Sequence, residues 1–183
     1  HLSAHISYAC TLATEFTLAQ PCALNRIWFY SPPPPPPLPT QCGLWNVHTP
    51  PLVAGTDNPA PAWSGAAGSG WVSCPYSGVT LPAGDYKTSV FNGAGTPGVW
   101  ADNTSDYWDT GPGASGITTG PLTAPSLAAA TSPGQGTFHQ GVTFAWPDTY
   151  TGGGFPAQSY WTDVEVTPAA TPPSGGPAYT ASM

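Results

Sequence analysis

Six consecutive prolines, Pro32–Pro37, interrupt this chain immediately after its most apolar stretch. Such a run folds only as polyproline II, a stiff and exposed connector. The same punctuation recurs along the sequence, with 25 prolines and 22 glycines among 183 residues. In a helix interior a proline costs about 3 kcal/mol and a glycine about 1 kcal/mol. No helix-period spacing of apolar residues lies between these breakers. What they leave room for is short strands joined by many turns.

Alternation and aromatic or β-branched enrichment predict strands over Thr14–Ala19, Ala23–Tyr30, Cys42–Val47, Trp71–Tyr76, Gly84–Asn92, Gly141–Trp146 and Ser159–Thr167. His5–Tyr8 reads as an edge strand, and Pro50–Val53 as a hairpin partner for Cys42–Val47. The last strand alternates, placing Tyr160, Thr162, Val164 and Val166 on one face. Residues 93–141 look mostly irregular, too long for an idle loop, and so are functional or partly β. The expectation is an all-β fold, a jelly-roll or immunoglobulin-like β-sandwich forming a single domain over residues 1–168. A Pro/Gly/Ala-rich tail follows at 169–183.

Charge narrows the partners. Only 6% of residues are charged, against roughly 25% in an ordinary soluble domain. Arg26 and Lys87 are the only basic side chains besides histidine, and the net charge is −7. Neutralising nucleic-acid phosphates or anionic lipid needs a Lys/Arg footprint that two residues do not supply. No run of ~20 apolar residues exists to insert in a membrane. Disorder is a poor fit too, because 8 Trp, 8 Tyr and 6 Phe are far more aromatic content than disordered chains carry.

Cys10, Cys22, Cys42 and Cys74 show no C-x-x-C spacing, which argues against a zinc ribbon or thioredoxin-type site. Their even number fits either disulfides in an oxidising compartment or buried free thiols, and three pairings are open. The chain starts at His1 rather than Met, as processing or cropping would leave it, a removed signal peptide being one route. These features suggest a secreted, extracellular or virion-surface location.

The order of several short motifs resembles a bacterial extracellular family, domain of unknown function 4082, over roughly residues 14–168. The motifs are Asn25-Arg26-Ile27-Trp28-Phe29-Tyr30, Gly43-Leu44-Trp45, Leu52-Val53-Ala54 and Ser69-Gly70-Trp71 with Leu81-Pro82-Ala83-Gly84-Asp85-Tyr86. Gly120-Pro121-Leu122-Thr123-Ala124-Pro125 comes next, then Gly153-Gly154-Phe155-Pro156 with Ser159-Tyr160-Trp161-Thr162-Asp163-Val164. The proline run and the cysteines depart from that family's pattern. The resemblance implies a β-sandwich of the kind that accompanies carbohydrate-active or cell-surface proteins, and it brings no catalytic residues.

Aromatic side chains are the strongest candidates for a binding role. Trp28, Trp45, Trp71 and Trp161 fall on predicted strands and read as core. Trp63, Trp100, Tyr107 and Trp108, with Asn103, fall in irregular polar segments, where exposed rings stack on sugar faces and an amide bonds hydroxyls. Asp102, Asp106 and Asp109 are candidate oxygen ligands for a structural Ca²⁺, although their spacing is not that of an EF-hand. No other cofactor is implied.

Enzymatic readings have less behind them. His1, with His5, His48 or His139, would suit a copper-dependent polysaccharide monooxygenase. Asp163 and Glu165 share a strand face, which suits a solvated pair better than a glycosidase pair. The chain has no Gly-x-Ser-x-Gly nucleophile elbow and no phosphate loop. The expectation is a non-catalytic surface module that binds glycans or a cell envelope. The alternative is a virion-surface subunit, such as an accessory tail or capsid decoration protein of an actinobacterial phage, that docks on neighbouring subunits.

Overall fold

The computed structural model describes residues 9–33, 37–49, 51–93, 107–131, 133–149 and 159–169. Every regular element among them is a β-strand, and the strands form two antiparallel sheets packed as a sandwich. The larger sheet contains β1 (Cys10–Leu18), β3 (Gln41–Asn46), β6 (Gly84–Asn92), β7 (Ile117–Thr119), β8 (Leu122–Ala124) and β9 (Gly136–Gln140). The smaller contains β2 (Cys22–Ser31), β4 (Gly70–Pro75), β5 (Thr80–Leu81) and β10 (Thr162–Pro168). In the first, β6 lies between β3 and β1, while β8 and β9 share the opposite edge of β1. In the second, β2 is central between β10 and β4.

Period-two alternation builds the core. Leu12, Phe16 and Leu18 of β1 meet Leu24, Ile27 and Phe29 of β2, with Leu44, Val72, Val90 and Val164 filling in around them. Leu24 and Ile27 are three residues apart, so simple alternation would turn one of them outward. The pairing slips between Glu165 and Val166, leaving Asn25 as the extra residue of a bulge, and both side chains then face inward.

The larger sheet is buried on both faces, which is why β1 is almost continuously buried. Its second face is covered by Thr131, Gly134 and Gln135 and by residues 144–146. Phe144 packs on Trp45 and Phe91, Trp146 meets Trp45 edge-on, and the Ala145 N–H donates to Thr11 Oγ1 at 3.2 Å. Beneath this cover Glu15 and Lys87, directly opposed on β1 and β6, form an ion pair at 3.3 Å with both side chains sealed from solvent.

The expected strand Gly141–Trp146 is not formed. The strand lies just before it, at β9, and the following residues loop back so that Thr149 pairs with Phe138 in a single bridge. Phe144 and Trp146 have strand-like spacing because both contact the Trp45 ring, one tilted and one edge-on, not because they pair. Of the expected hairpin partner Pro50–Val53, residues 51–53 are described, and they contribute a bridge from Leu52 to Trp45 rather than a strand. His5–Tyr8 lies outside the described residues. All four cysteines are free, buried thiols in this structure, so the disulfides expected as one of two options are not present in it.

One surface pair sets a pH response. Asp85 accepts from Thr17 Oγ1 at 2.6 Å and meets His48 Nε2 at 2.7 Å. Burial raises its carboxyl, but the Thr17 and His48 hydrogen bonds outweigh burial and hold it below the usual aspartate range. A group depressed in the folded state stabilises above its unfolded pKa, about 3.9, and that contribution is lost as pH falls through the lower folded value. Acid unfolding followed by tryptophan fluorescence should therefore show Thr17→Val with a shallower loss of stability below about pH 4 than the parent.

Candidate functional site

The alternation that builds the core also decides what the smaller sheet shows to solvent. With Phe29 inward, Trp28 and Tyr30 face out; with Val72 and Cys74 inward, Trp71 faces out, while Ser73 on the same side is covered and bonded to Ser64 Oγ. On β10, Thr162 and Val164 turn inward and Asp163 and Glu165 outward. Trp161, just before β10, has a φ of 50°. That left-handed conformation costs an ordinary residue about 1–2 kcal/mol. Its carbonyl accepts the Tyr30 N–H at 3.1 Å, which fixes the backbone there.

The result is a continuous run of five rings. Tyr30 meets Trp71 at 5.6 Å, Trp71 meets Trp161 at 6.4 Å, Trp161 meets Tyr107 at 5.4 Å, and Tyr107 meets Trp108 at 4.8 Å. Every contact is edge-to-face, the arrangement the ring quadrupoles favour. Trp71 is 44% exposed, whereas Trp108 is buried. The reading of the strand tryptophans as core therefore holds for Trp45 and fails for Trp71, while Trp28 and Trp161 are half-buried.

Beside these rings opens a cleft of about 160 Å³, lined from both sheets. Trp71, Tyr107, Trp108 and Trp161 form its aromatic side, and Phe16, Ile117 and Leu122 its aliphatic and aromatic opposite side. Thr14, Glu15, Thr88 and Asp163 also line it. Five polar atoms of these lining residues are buried without a hydrogen-bond partner: Thr14 Oγ1, Thr88 Oγ1, Trp108 Nε1, Trp161 Nε1 and Glu15 Oε2, the last of which is ion-paired with Lys87. A buried polar group left unpaired costs about 1–3 kcal/mol.

The carboxylates differ. Glu15 points to the covered second face of the larger sheet, where Oε1 accepts the Thr131 N–H at 2.8 Å and Oε2 faces Lys87. Burial pushes the Lys87 ammonium down, and Glu15 opposes that. Asp163 stands on the exposed face, yet desolvation by its neighbours raises its carboxyl against the opposing Val164 N–H at 2.7 Å. The residue as a whole is open to solvent while its carboxyl is crowded, and the direction of the shift follows the carboxyl. Glu165 is paired with Arg26 at 3.6 Å, an exposed contact of little energetic weight.

Gly113 supports the buried end of the run. A methyl group there would overlap the Trp108 ring and press on Tyr107. Gly113→Ala should therefore destabilise the domain by about 1–3 kcal/mol. Near-ultraviolet circular dichroism should also change as Trp108 is displaced.

The residues nominated from sequence scatter. Tyr107 and Trp108 line the cleft. Trp63 does not; it packs against the core, with its ring 6.3 Å from Phe29 and its Nε1 donating to Pro39 O at 2.8 Å. Trp100, Asp102, Asn103 and Asp106 lie outside the described residues, as do His1 and His5. Asp109 is exposed, and among the described residues no three His, Cys, Asp or Glu side chains gather as a metal site. His48 and His139 each face one aspartate, Asp85 and Asp148. Tyr30, Trp71 and Trp161 were not nominated, although the alternation of the last strand already turned Trp161 outward.

Comparison with family models, curated proteins and solved structures found no match.

Proposed function

We propose that this domain is a non-catalytic binding module that works on the outside of a cell or particle, holding a neutral sugar residue of a glycan or cell envelope in the aromatic cleft. The observation that carries the reading is the edge-to-face ring run beside a single cleft that Trp71, Tyr107, Trp108 and Trp161 line. Aromatic faces take the apolar C–H side of a sugar ring, and converging polar groups take its hydroxyls. At about 160 Å³ the cleft falls below the usual range of roughly 300–1,000 Å³ for ligand pockets, which suits one ring rather than a long chain.

Charge supports a neutral ligand. Asp163 stands at the cleft and the chain carries a net −7. Both strong bases are engaged, Arg26 with Glu165 and Lys87 with Glu15. An acidic sugar would meet repulsion and no compensating cation.

The test is retention on insoluble neutral polysaccharides and on bacterial cell envelopes, for the parent and for Trp71→Ala and Trp161→Gly variants. Retention of the parent that both variants lose supports the reading. A parent retained on none of these surfaces overturns it, and would favour a subunit that docks on its neighbours through the same rings.

A further inference from the structure

Each sheet sends one cysteine into the core at the same place. Cys42 lies on β3 and Cys74 on β4, and both are sealed from solvent. Asn58 touches both. Its backbone N–H and C=O pair with those of Cys42 at 3.0 and 3.1 Å, and its Nδ2 donates to Cys74 Sγ at 3.2 Å. The Tyr76 hydroxyl lies 3.3 Å from Cys42 Sγ, so Asn58 and Tyr76 bring the two thiols into one buried cluster.

Cys10 and Cys22 are placed differently. Each thiol donates to a nearby main-chain carbonyl, Thr11 and Gln20 respectively. At about 3.3 Å per residue, β1 carries Leu18 roughly 26 Å from Cys10. The few residues from Leu18 to Cys22 are too short to return within the ~7 Å between Cα atoms that a disulfide allows.

We propose that Cys42 and Cys74 form a disulfide that ties the larger sheet to the smaller one, made while the chain folds in an oxidising compartment. Of the pairings open in the sequence, this is the one whose two cysteines share a neighbour, Asn58, between the sheets. Two S–H bonds break and one S–S bond forms. The two electrons and two protons pass to a small-molecule disulfide of the glutathione class, which leaves as two thiols. Burial pushes both thiols above the ordinary cysteine range, so the nucleophilic thiolate is scarce once the sheets have closed. Exchange therefore belongs to the stage before closure.

The full chain, unfolded and reduced, is refolded with and without a reduced/oxidised glutathione couple. The oxidised product should weigh two hydrogens less than the reduced one. Cleavage after Arg26 and before Asp57 and Asp85 releases residues 27–56, carrying Cys42, and 57–84, carrying Cys74. Those two peptides should stay joined until a reductant is added, and a Cys10→Ala/Cys22→Ala variant should give the same joined pair. The linked form should melt roughly 10 °C above the reduced form. Natively folded product whose four thiols all remain free, or a link that uses Cys10 or Cys22, would overturn the proposal. A linked form that melts no higher than the reduced one would contradict a tie between the sheets.

Discussion

Lys87→Met should cost about 3–5 kcal/mol of folding stability, because it leaves the Glu15 carboxylate buried without its counter-charge. The pair lies at 3.3 Å with the two side chains at 0% and 2% exposure, so water cannot replace the lost partner. Replacing both partners, as Glu15→Leu/Lys87→Met, should recover much of the loss, since two apolar groups of similar volume carry no charge to desolvate. Recovery stays incomplete because the Thr131 N–H loses its acceptor and the Gly134 carbonyl loses the Lys87 donor at 2.7 Å. Urea unfolding of the parent, both single variants and the double variant gives all four corners. A single Lys87→Met costing under about 1 kcal/mol would mean the cover over this pair is open to solvent.

Trp161→Gly should reduce affinity for the bound sugar at least ~30-fold, the effect of removing a central aromatic anchor. Glycine is the informative replacement. At a φ of 50° an alanine would keep the backbone strain, whereas glycine adopts that conformation freely. The Tyr30 N–H to Trp161 carbonyl bond is a main-chain contact, so the strand start survives the change. The variant loses the ring that bridges Trp71 and Tyr107, and the indole N–H that faces no protein partner. Isothermal titration should show weakened binding at a melting temperature close to the parent's. A variant that binds as tightly as the parent would remove Trp161 from the site.

The strands were legible where a single rule decided them. β6 runs over Gly84–Asn92, as read from the Leu81-Pro82-Ala83-Gly84 turn and the apolar run after it, and β2 ends at the proline run. β9 was not, because Phe144 and Trp146 gave the next segment the same spacing for a different reason, contact with Trp45. For the site, local alternation fixed which way Trp71 and Trp161 point. What no local pattern carries is the meeting of Trp161 with Tyr107, or the union of Thr14, Trp71, Trp108 and Asp163 around one cavity. Those depend on how two sheets and the segment after residue 107 close together. The strand tryptophans read as core because large rings on strands usually are; the pairing of β4 with β2 leaves Trp71 exposed, and Trp161, just before β10, is half-buried.

The measurement that tests the central claim most directly is a titration of isotope-labelled protein with a neutral sugar fragment, following the indole N–H signals of all eight tryptophans. The account predicts that the signals of Trp161, Trp108 and Trp71 move together and saturate, because two of these donors have no partner and the third ring stands exposed at the cleft. It also predicts that Trp45 and Trp63, held in or against the core, stay in place. Saturating shifts confined to Trp63 or Trp45, or no shift in any indole signal with any neutral sugar, would contradict it.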